Sequence, residues 1–476
     1  MRRTKILATL GPATDDPEVL VRMLAMGVDV VRLNFSHGEP QDHIRRAKAV
    51  KMAAASMGRD IGILCDLQGP KIRIECFGNG AVDLVEGQDF VLDTGMDGQA
   101  GTIEAVACSY QSLAEDVRAG DVLLLNDGAI SLTVESVAAG RVHTKVLIGG
   151  RLSNRKGINK QGGGLSAAAL TDKDRRDLRH AVALGADFIA VSFPRSAQDM
   201  HEARDLVHAA GGEARLVAKI ERAEALADLD ALADASDALM VARGDLGVEI
   251  GDAELPAWQK RIIAIAREKN RIAITATQMM ESMIQNPIPT RAEVLDVANA
   301  VIDGTDAVML SAETAAGQHP VKVVEAMKRV CIGAESGMDI SKPRSAQGFD
   351  THFHRTDEAI AMATTWTAAN MHAKAIVSLT DSGSTALMMS RTETGIPIYA
   401  LTPHDRTRRY MSLCRGVHPI AFVPTDLDTI KPVGEAVRCV RDRGLVSAGD
   451  RVLVTKGDFT GPGGTNAMKI VTVESG

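Results

Sequence analysis

Two runs decide the fold: RLVAKIE at residues 215–221 and DALMVARGD at 237–245. Each is an apolar stretch that ends in charge, the pattern of a buried parallel strand opening into a site. In a strand successive side chains alternate, so Val217, Lys219 and Glu221 share one face and Leu216, Ala218 and Ile220 the other. A strand buried on both faces tolerates a Lys and a Glu two residues apart only where something compensates their charge. A divalent cation between Glu221 and Asp245, with the Lys219 ammonium beside it, would do so, and could neutralise a phosphate and an enolate together. The same residues also fit a buried Lys–Glu ion pair between neighbouring strands.

Working outward, six further apolar runs share this rhythm: TKILATLG (4–11), VDVVRLNFS (28–36), GILCDLQG (62–69), DFIAVSF (187–193), IAITATQM (272–279) and DAVMLSAE (306–313). Helical stretches separate them. In the first, Asp16 is a candidate N-cap, Pro17 the first helical residue, and Gly27 the stop. Eight parallel strands alternating with helices predict a closed (β/α)8 barrel, although an open doubly wound sheet has a similar rhythm. The polar residues Arg32, Asn34, Ser36, Asp66, Ser192, Lys219, Glu221, Asp245, Thr277, Ser311 and Glu313 all fall at the carboxyl ends of these runs, where barrel sites lie.

From about Lys71 to Ser166 the texture changes to short alternating runs broken by Gly and Asp, which predicts a small all-β insert, barrel or sandwich. A linker is expected near Gly337–Gly348, followed by a separate α/β unit with strands at AIVSLT, IPIYALT and RVLVTKGD. The expected division is barrel 1–69 and 169–340, insert 70–168, and a third domain at 341–476.

The 476 residues suit a multidomain chain, with 45% apolar and 24% charged residues, ordinary for a globular enzyme. Net charge is −7 and aromatics only 3%, so neither a basic nucleic-acid footprint nor a base-stacking platform is expected. The six cysteines are scattered without CxxC spacing, which fits a reducing cytoplasm better than a zinc site or disulfides. No signal-peptide pattern or membrane-spanning run is legible.

An ordered set of motifs resembles pyruvate kinase: RRTKILATLGPAT, VDVVRLNFSHG, CDLQGPKIR, NRKGIN, VAKIE, VARGDLGVEI, TATQMMESM, PTRAEVLDVANAVIDGTDAVMLSAET and TGPGGTN. The set covers the barrel almost continuously, marks both ends of the insert and reaches the last domain. The resemblance implies a TIM barrel, a small β-barrel lid over its mouth, a C-terminal α/β regulatory domain, and a homotetramer. It also implies phosphoryl transfer from phosphoenolpyruvate to ADP, giving pyruvate and ATP.

Under this resemblance Glu221 and Asp245 match the divalent-metal ligands, and hard carboxylate oxygens suit Mg²⁺ or Mn²⁺. Lys219 matches the catalytic lysine, Arg32 a phosphate clamp, and Thr277 the residue near the enolate carbon, acting through water because a hydroxyl is a weak acid. The backbone at Gly244 and Asp245 matches the turn that holds the substrate carboxylate. Arg73 and Lys156, with Asn34, Phe35, Ser36 and His37, match nucleotide contacts. A solvated basic surface at Arg73 and Lys156, and a structural hydrogen bond at His37, are the alternatives.

Asn34, Ser36, Asp66 and the carbonyl of Leu67 match the family's potassium site. Members that require K⁺ carry glutamate where Lys71 stands here. An ammonium can replace K⁺ electrostatically, and each unit of charge at a few ångströms in a partly buried site is worth roughly 4 kcal/mol. The expectation is therefore that K⁺ is not required. In the last domain, Thr380, Ser382, Ser384 and Thr385, with Gly463 and Thr465, match the region that binds a phosphorylated effector. The serine at 384, where fructose-bisphosphate-responsive members often have a basic residue, and the DLQGPK variant resemble a bacterial subgroup responding to AMP or sugar monophosphates. Ordinary helix capping is the alternative reading of that loop. Another Mg²⁺-dependent barrel acting on pyruvate or phosphoenolpyruvate, aldolase-like or lyase-like, is the competing enzyme class; it would need no nucleotide clamp. A metabolite-sensing scaffold is a further option, but it would not be expected to keep Lys219, Glu221, Asp245 and Thr277 together.

Overall fold

The computed structural model describes residues 1–338, 353, 355–425, 431–457 and 463–475. Among these, eight parallel strands close into a barrel: Lys5–Thr9 (β1), Val30–Asn34 (β2), Gly62–Asp66 (β3), Phe188–Val191 (β4), Arg215–Ile220 (β5), Ala238–Ala242 (β6), Ile272–Ala276 (β7) and Ala307–Leu310 (β8). Each pairs with its sequence neighbour in parallel, and β1 pairs with β8 to close the ring. The open-sheet alternative is thereby excluded. Val217 belongs to the cluster filling the barrel interior, while Leu216, Ala218 and Ile220 pack in the layer between strands and helices. The alternation legible in the sequence is thus the in–out alternation of a barrel wall.

Asp16 caps the first helix, Pro17–Met26, by accepting from the Glu18 amide at 2.8 Å, and Gly27 ends it at φ 129°.

The β insert is a six-stranded sheet curled around its own apolar cluster, with a separate two-stranded ladder of Ala81–Leu84 and Gly150–Ser153. It leaves the barrel after β3 and returns before β4.

The C-terminal unit is a five-stranded sheet among the described residues, in the order Val417–Ala421, Ile398–Thr402, Ala375–Leu379, Arg451–Gly457, Thr465–Thr472, the last strand antiparallel. Two of these five were not expected from the sequence. Val417–Ala421 contains Pro419, which lacks an N–H and is tolerated because this strand lies at a sheet edge. Thr465–Thr472 lies at the other edge, half exposed, and so lacks an apolar run. The linker expected at Gly337–Gly348, and with it the boundary at 340/341, falls largely outside the described residues.

The C-terminal unit plugs the amino-terminal end of the barrel. Its core residues Tyr410, Met411 and Leu413 join the barrel-interior cluster, and Arg215 at the start of β5 lies over the Tyr410 ring at 4.7 Å. Asp306, immediately before β8, takes both guanidinium nitrogens of Arg391 at 2.6 and 2.8 Å and the Arg415 amide at 3.0 Å. Lys5 donates to the Val417 carbonyl at 2.6 Å. All these contacts lie at the strand starts, opposite the carboxyl ends where the polar residues collect.

His418 sits in this junction. Burial, reinforced by Lys5, pushes its imidazole down to about 3. The unfolded chain takes up that proton near pH 6.5, the folded chain only near 3. The stability this group contributes is therefore complete above pH 6.5 and declines as pH falls from 6.5 toward 3. His418→Leu should flatten that part of the stability curve in urea unfolding between pH 7 and 4; an unchanged slope would assign the acid sensitivity to other groups.

Candidate active site

Every barrel strand delivers its carboxyl end to one mouth. Arg32 and Asn34 lie in β2, Asp66 ends β3, Ser192 follows β4, and Glu221 follows β5, which carries Lys219. Asp245 lies in the helix Arg243–Ile250 directly after β6, and Thr277 follows β7. The inward pleat of each strand aims these side chains at the barrel axis.

Lys219 is the centre. Its Nζ lies 2.9 Å from Glu221 Oε1 and 3.2 Å from Asp66 Oδ1, and donates to Ser192 Oγ at 2.6 Å. Arg32 grips the other oxygen of Asp66 with Nη2 at 2.6 Å and Nε at 2.7 Å, and reaches Thr9 Oγ1 at 3.1 Å. The other oxygen of Glu221 accepts from the Phe193 amide at 2.8 Å. Ser192 in turn donates to the Leu67 carbonyl at 2.8 Å. Each charged head is therefore held from two sides.

The electrostatics are unbalanced. Two cations, Arg32 and Lys219, face three carboxylates, Asp66, Glu221 and Asp245. Despite burial, which opposes it, Asp66 stays below the usual carboxylate range because it touches both cations. Lys219 is held charged by Asp66 and Glu221 against the same burial. Burial pushes Glu221 up to about 7, with Asp245 and Asp66 adding to the push against the pull of Lys219. Burial raises Asp245 as well. A buried carboxylate, Glu221, and a half-buried one, Asp245, that resist ionising near each other are a donor set suited to a hard divalent cation. Among the described residues no three His, Cys, Asp or Glu side chains gather as a metal cage. A Mg²⁺ ion would take one or two carboxylates here, completed by water and substrate oxygens.

These groups open into a cavity of about 290 Å³ between the barrel and the β insert. Arg32, Asn34, Ser36, His37, Lys71, Arg73, Lys219, Glu221 and Asp245 line it. Burial, with Lys71 next, lowers the His37 pKa. Asn34 Oδ1 accepts from the Ser36 amide at 3.1 Å, and Lys71 Nζ donates to the Ser36 carbonyl at 3.4 Å.

Not every expected residue reaches the cavity. The Phe35 ring is buried and stacked on His43 at 4.4 Å, while its carbonyl accepts from Lys173 at 2.8 Å. Lys156 is paired to the lid stalk through its carbonyl, which accepts from the Ile74 amide at 2.9 Å, and is not among the lining residues. Gly244 and Thr277 sit just beneath the surface: the Gly244 amide donates to Thr277 Oγ1 at 2.9 Å, so that amide is engaged by the hydroxyl. Glu313 accepts from the Ser311 amide at 2.6 Å and from the Met280 amide at 3.4 Å, so it links the segments after β8 and β7.

The structure adds residues not singled out from the sequence. Asp127, from an Asn-Asp-Gly turn of the insert, and Asn159, Arg222, Glu224 and Glu249 line the same cavity. Arg222 and Glu224 directly follow the VAKIE motif and Glu249 lies within VARGDLGVEI, so their positions were legible and only their direction was not.

At the other end of the molecule, Thr385 Oγ1 and Thr465 Oγ1 are 2.7 Å apart and both buried. Thr380 caps the turn, accepting from the Gly383 amide at 2.9 Å, and Ser382 donates to Ser384 at 3.2 Å. Arg355 stands beside Gly463 and lines a cleft of about 240 Å³ with Ser382 and Ser384. Gly461 and Pro462 of this loop lie outside the described residues.

A barrel whose mouth collects an ammonium, a guanidinium and paired carboxylates under a β insert that brings Lys71 and Arg73 to the cavity is the architecture of a phosphotransferase working through charge neutralisation. Comparison with known proteins makes this particular. Residues 1–324 match the family model described as the pyruvate kinase barrel domain, and 358–471 that of the pyruvate kinase alpha/beta domain. The chain is 52% identical to pyruvate kinase II of Salmonella typhimurium, across 100% of this chain and 99% of that one. It is 50% identical to pyruvate kinase of Haemophilus influenzae over equivalent spans. A crystal structure of a pyruvate kinase from Cryptosporidium parvum superposes with a TM-score of 0.92 at 33% identity, covering 99% of this chain and 96% of that one. The chain belongs to the pyruvate kinase family, and it is a kinase, a phosphotransferase.

Thr277 and Gln278 hold consecutive left-handed conformations, φ 64° and 54°. For a β-branched residue this costs on the order of 1–3 kcal/mol. Thr277→Gly removes that strain and also the two hydrogen bonds of the hydroxyl, each worth about 1 kcal/mol. Its thermal midpoint should stay close to that of the unsubstituted chain while turnover falls at least about 100-fold. Retained turnover would remove Thr277 from the chemistry.

Proposed function

We propose that the chain transfers the phosphoryl group of phosphoenolpyruvate to ADP, giving pyruvate and ATP, the last step of glycolysis. The observation that carries this reading is Lys219, buried between Asp66 and Glu221 at the floor of a cavity to which the insert brings Lys71 and Arg73. Glu221 and Asp245 hold Mg²⁺ or Mn²⁺, which when bound neutralises charge on phosphoryl and carboxylate oxygens. Arg32 clamps the phosphoryl group with a planar fork. The P–O bond to the enol oxygen breaks and a bond to the terminal oxygen of ADP forms. Lys219 faces both the moving phosphoryl group and the enolate left behind, where charge develops. Thr277, through a water, supplies the proton that converts enolate to pyruvate. Arg73, Asn34, Ser36 and His37 meet the nucleotide, with Lys156 of the same insert the remaining candidate contact. An aldolase-like or lyase-like enzyme would use the same floor and would not need those nucleotide contacts.

Lys71 Nζ donates to the Ser36 carbonyl at 3.4 Å, and Ser36 is one of the residues that match the potassium site, with Asn34, Asp66 and the Leu67 carbonyl. K⁺ is accordingly not required. The resemblance further supports a homotetramer, a cytoplasmic setting and a phosphorylated effector at Thr380, Ser382, Ser384, Thr385, Gly463 and Thr465. Among the described residues no helix is long and apolar enough to cross a membrane.

A coupled assay with phosphoenolpyruvate, ADP and Mg²⁺ tests the reading; absence of ATP formation would reject it. Lys219→Met should lower turnover by at least about 100-fold with the fold intact by circular dichroism. In tetramethylammonium salts the unsubstituted chain should retain most of its turnover, whereas Lys71→Glu should need added K⁺. A large loss in the unsubstituted chain, rescued by K⁺, would reject the role of Lys71.

A further inference from the structure

The insert returns to the barrel through residues 162–167, Gly-Gly-Gly-Leu-Ser-Ala. The three glycines hold left-handed φ of 79°, 80° and 99°. Its glycines have no side chains with which to fix themselves. Leu165 packs in the insert core and the Ser166 amide donates to Asp116 at 2.7 Å, while barrel residues hold the segment from the other side. The Gly162 amide donates to the Glu249 carbonyl at 2.9 Å, and the Gly164 amide to a carboxylate oxygen of Glu224. Arg222 Nη1 donates to the Leu165 and Ala167 carbonyls at 3.1 and 3.3 Å. Arg195 Nη1 donates to the Ser166 carbonyl at 2.9 Å.

Three of these four anchors come from the segments that carry Glu221 and Asp245. Arg222 is the next residue after Glu221, and Glu224 starts the following turn. Glu249 lies one helical turn beyond Asp245 on the same helix. The Glu249 side chain then crosses back and accepts from the Ala223 amide at 2.9 Å, joining the Asp245 helix to the turn after Glu221, and it also meets the Asn159 side chain of the insert. Glu249 and Arg222 are buried, at 5% and 4% exposure, so these contacts are not solvated alternatives of one another. On the insert side the fit is tight. A Cβ at Gly163 would come within 2.7 Å of Glu224 Oε2. That oxygen is itself buried, with no partner among the described residues.

We propose that Glu249, Glu224 and Arg222 are positioning residues that tie the insert's return stalk to the two metal-binding segments, making divalent-cation binding and stalk placement one linked equilibrium. The proposal rests on the reading of Glu221 and Asp245 as the metal ligands. Linkage is reciprocal: a change on the stalk must weaken the cation as surely as the cation must order the stalk. Residues that orient metal ligands alter metal affinity about 10–100-fold when removed.

The test uses the full chain and Mn²⁺ alone, followed by its electron paramagnetic resonance signal, with amide hydrogen exchange of residues 162–167 measured with and without the ion. Glu249→Ala should weaken Mn²⁺ at least about tenfold. Glu249→Gln, which keeps an oxygen for the Ala223 amide, should recover most of that loss. Gly163→Ala, remote from the ligands, should also weaken Mn²⁺ several-fold. Mn²⁺ should slow exchange at Gly162 and Gly164 in the unsubstituted chain and not in Glu249→Ala. If Glu249→Ala does not fold, Gly163→Ala and the exchange data decide the matter. An intact Mn²⁺ site with unchanged affinity in Gly163→Ala and no ion-dependent exchange would overturn the coupling alone. Absence of any Mn²⁺ site in the unsubstituted chain would overturn the metal reading and the coupling with it.

Discussion

The structure turns on one buried ammonium. Lys219 sits below the barrel mouth with carboxylates at 2.9 and 3.2 Å and a serine hydroxyl at 2.6 Å. Taking an ion out of water costs several kcal/mol, and a single partner seldom offsets it. Here Asp66, Ser192 and Glu221 come from the ends of three neighbouring strands, β3, β4 and β5, and the parallel pairing of those strands brings them to one point. That pairing is the condition for the charge, and the charge is the reason the wall can carry lysine and glutamate where apolar side chains belong. The imbalance left over, three carboxylates against two cations, is a site that favours further positive charge at its floor. Above it Lys71, Arg73 and Arg222 share the lining with Asp127, Glu224 and Glu249. A phosphorylated acid and a divalent ion fit that mixed lining together.

The same geometry separates duties along the barrel axis. Chemistry is confined to the carboxyl ends of the strands. The C-terminal unit grips the opposite ends through Asp306 with Arg391, through Arg215 over Tyr410 and through Lys5. A barrel strand of five residues spans roughly 17 Å, so the C-terminal unit does not reach the cavity directly. Any influence it exerts must travel through the strands themselves. The insert is different: its stalk is bonded to residues adjacent to Glu221 and one turn from Asp245, and its placement acts on the site at first hand.

Much of this was legible beforehand. The alternation of RLVAKIE marked the barrel wall, and polar residues at strand ends marked the mouth. Asp16, Pro17 and Gly27 bounded the first helix. The illegible parts have physical causes. The C-terminal edge strands carry a proline in one case and half-exposed polar residues in the other, so neither shows an apolar run. Phe35 lies within a motif yet turns into the core against His43, because a motif records positions and not side-chain direction. Glu249 and Arg222 read as ordinary helix and turn residues until the stalk was seen to hang on them.

By itself the chain determined its elements, their order, and the residue types at each strand end, because period, capping and turn chemistry act over a few neighbours. Tertiary structure decided which of those groups meet: that Asp66, Lys219 and Glu221 share one proton balance, that Thr277 occupies the Gly244 amide, and that the insert's glycines are held by the metal-binding segments. Those are contacts between residues far apart along the chain, and their distances exist only once the strands have paired and the insert has docked.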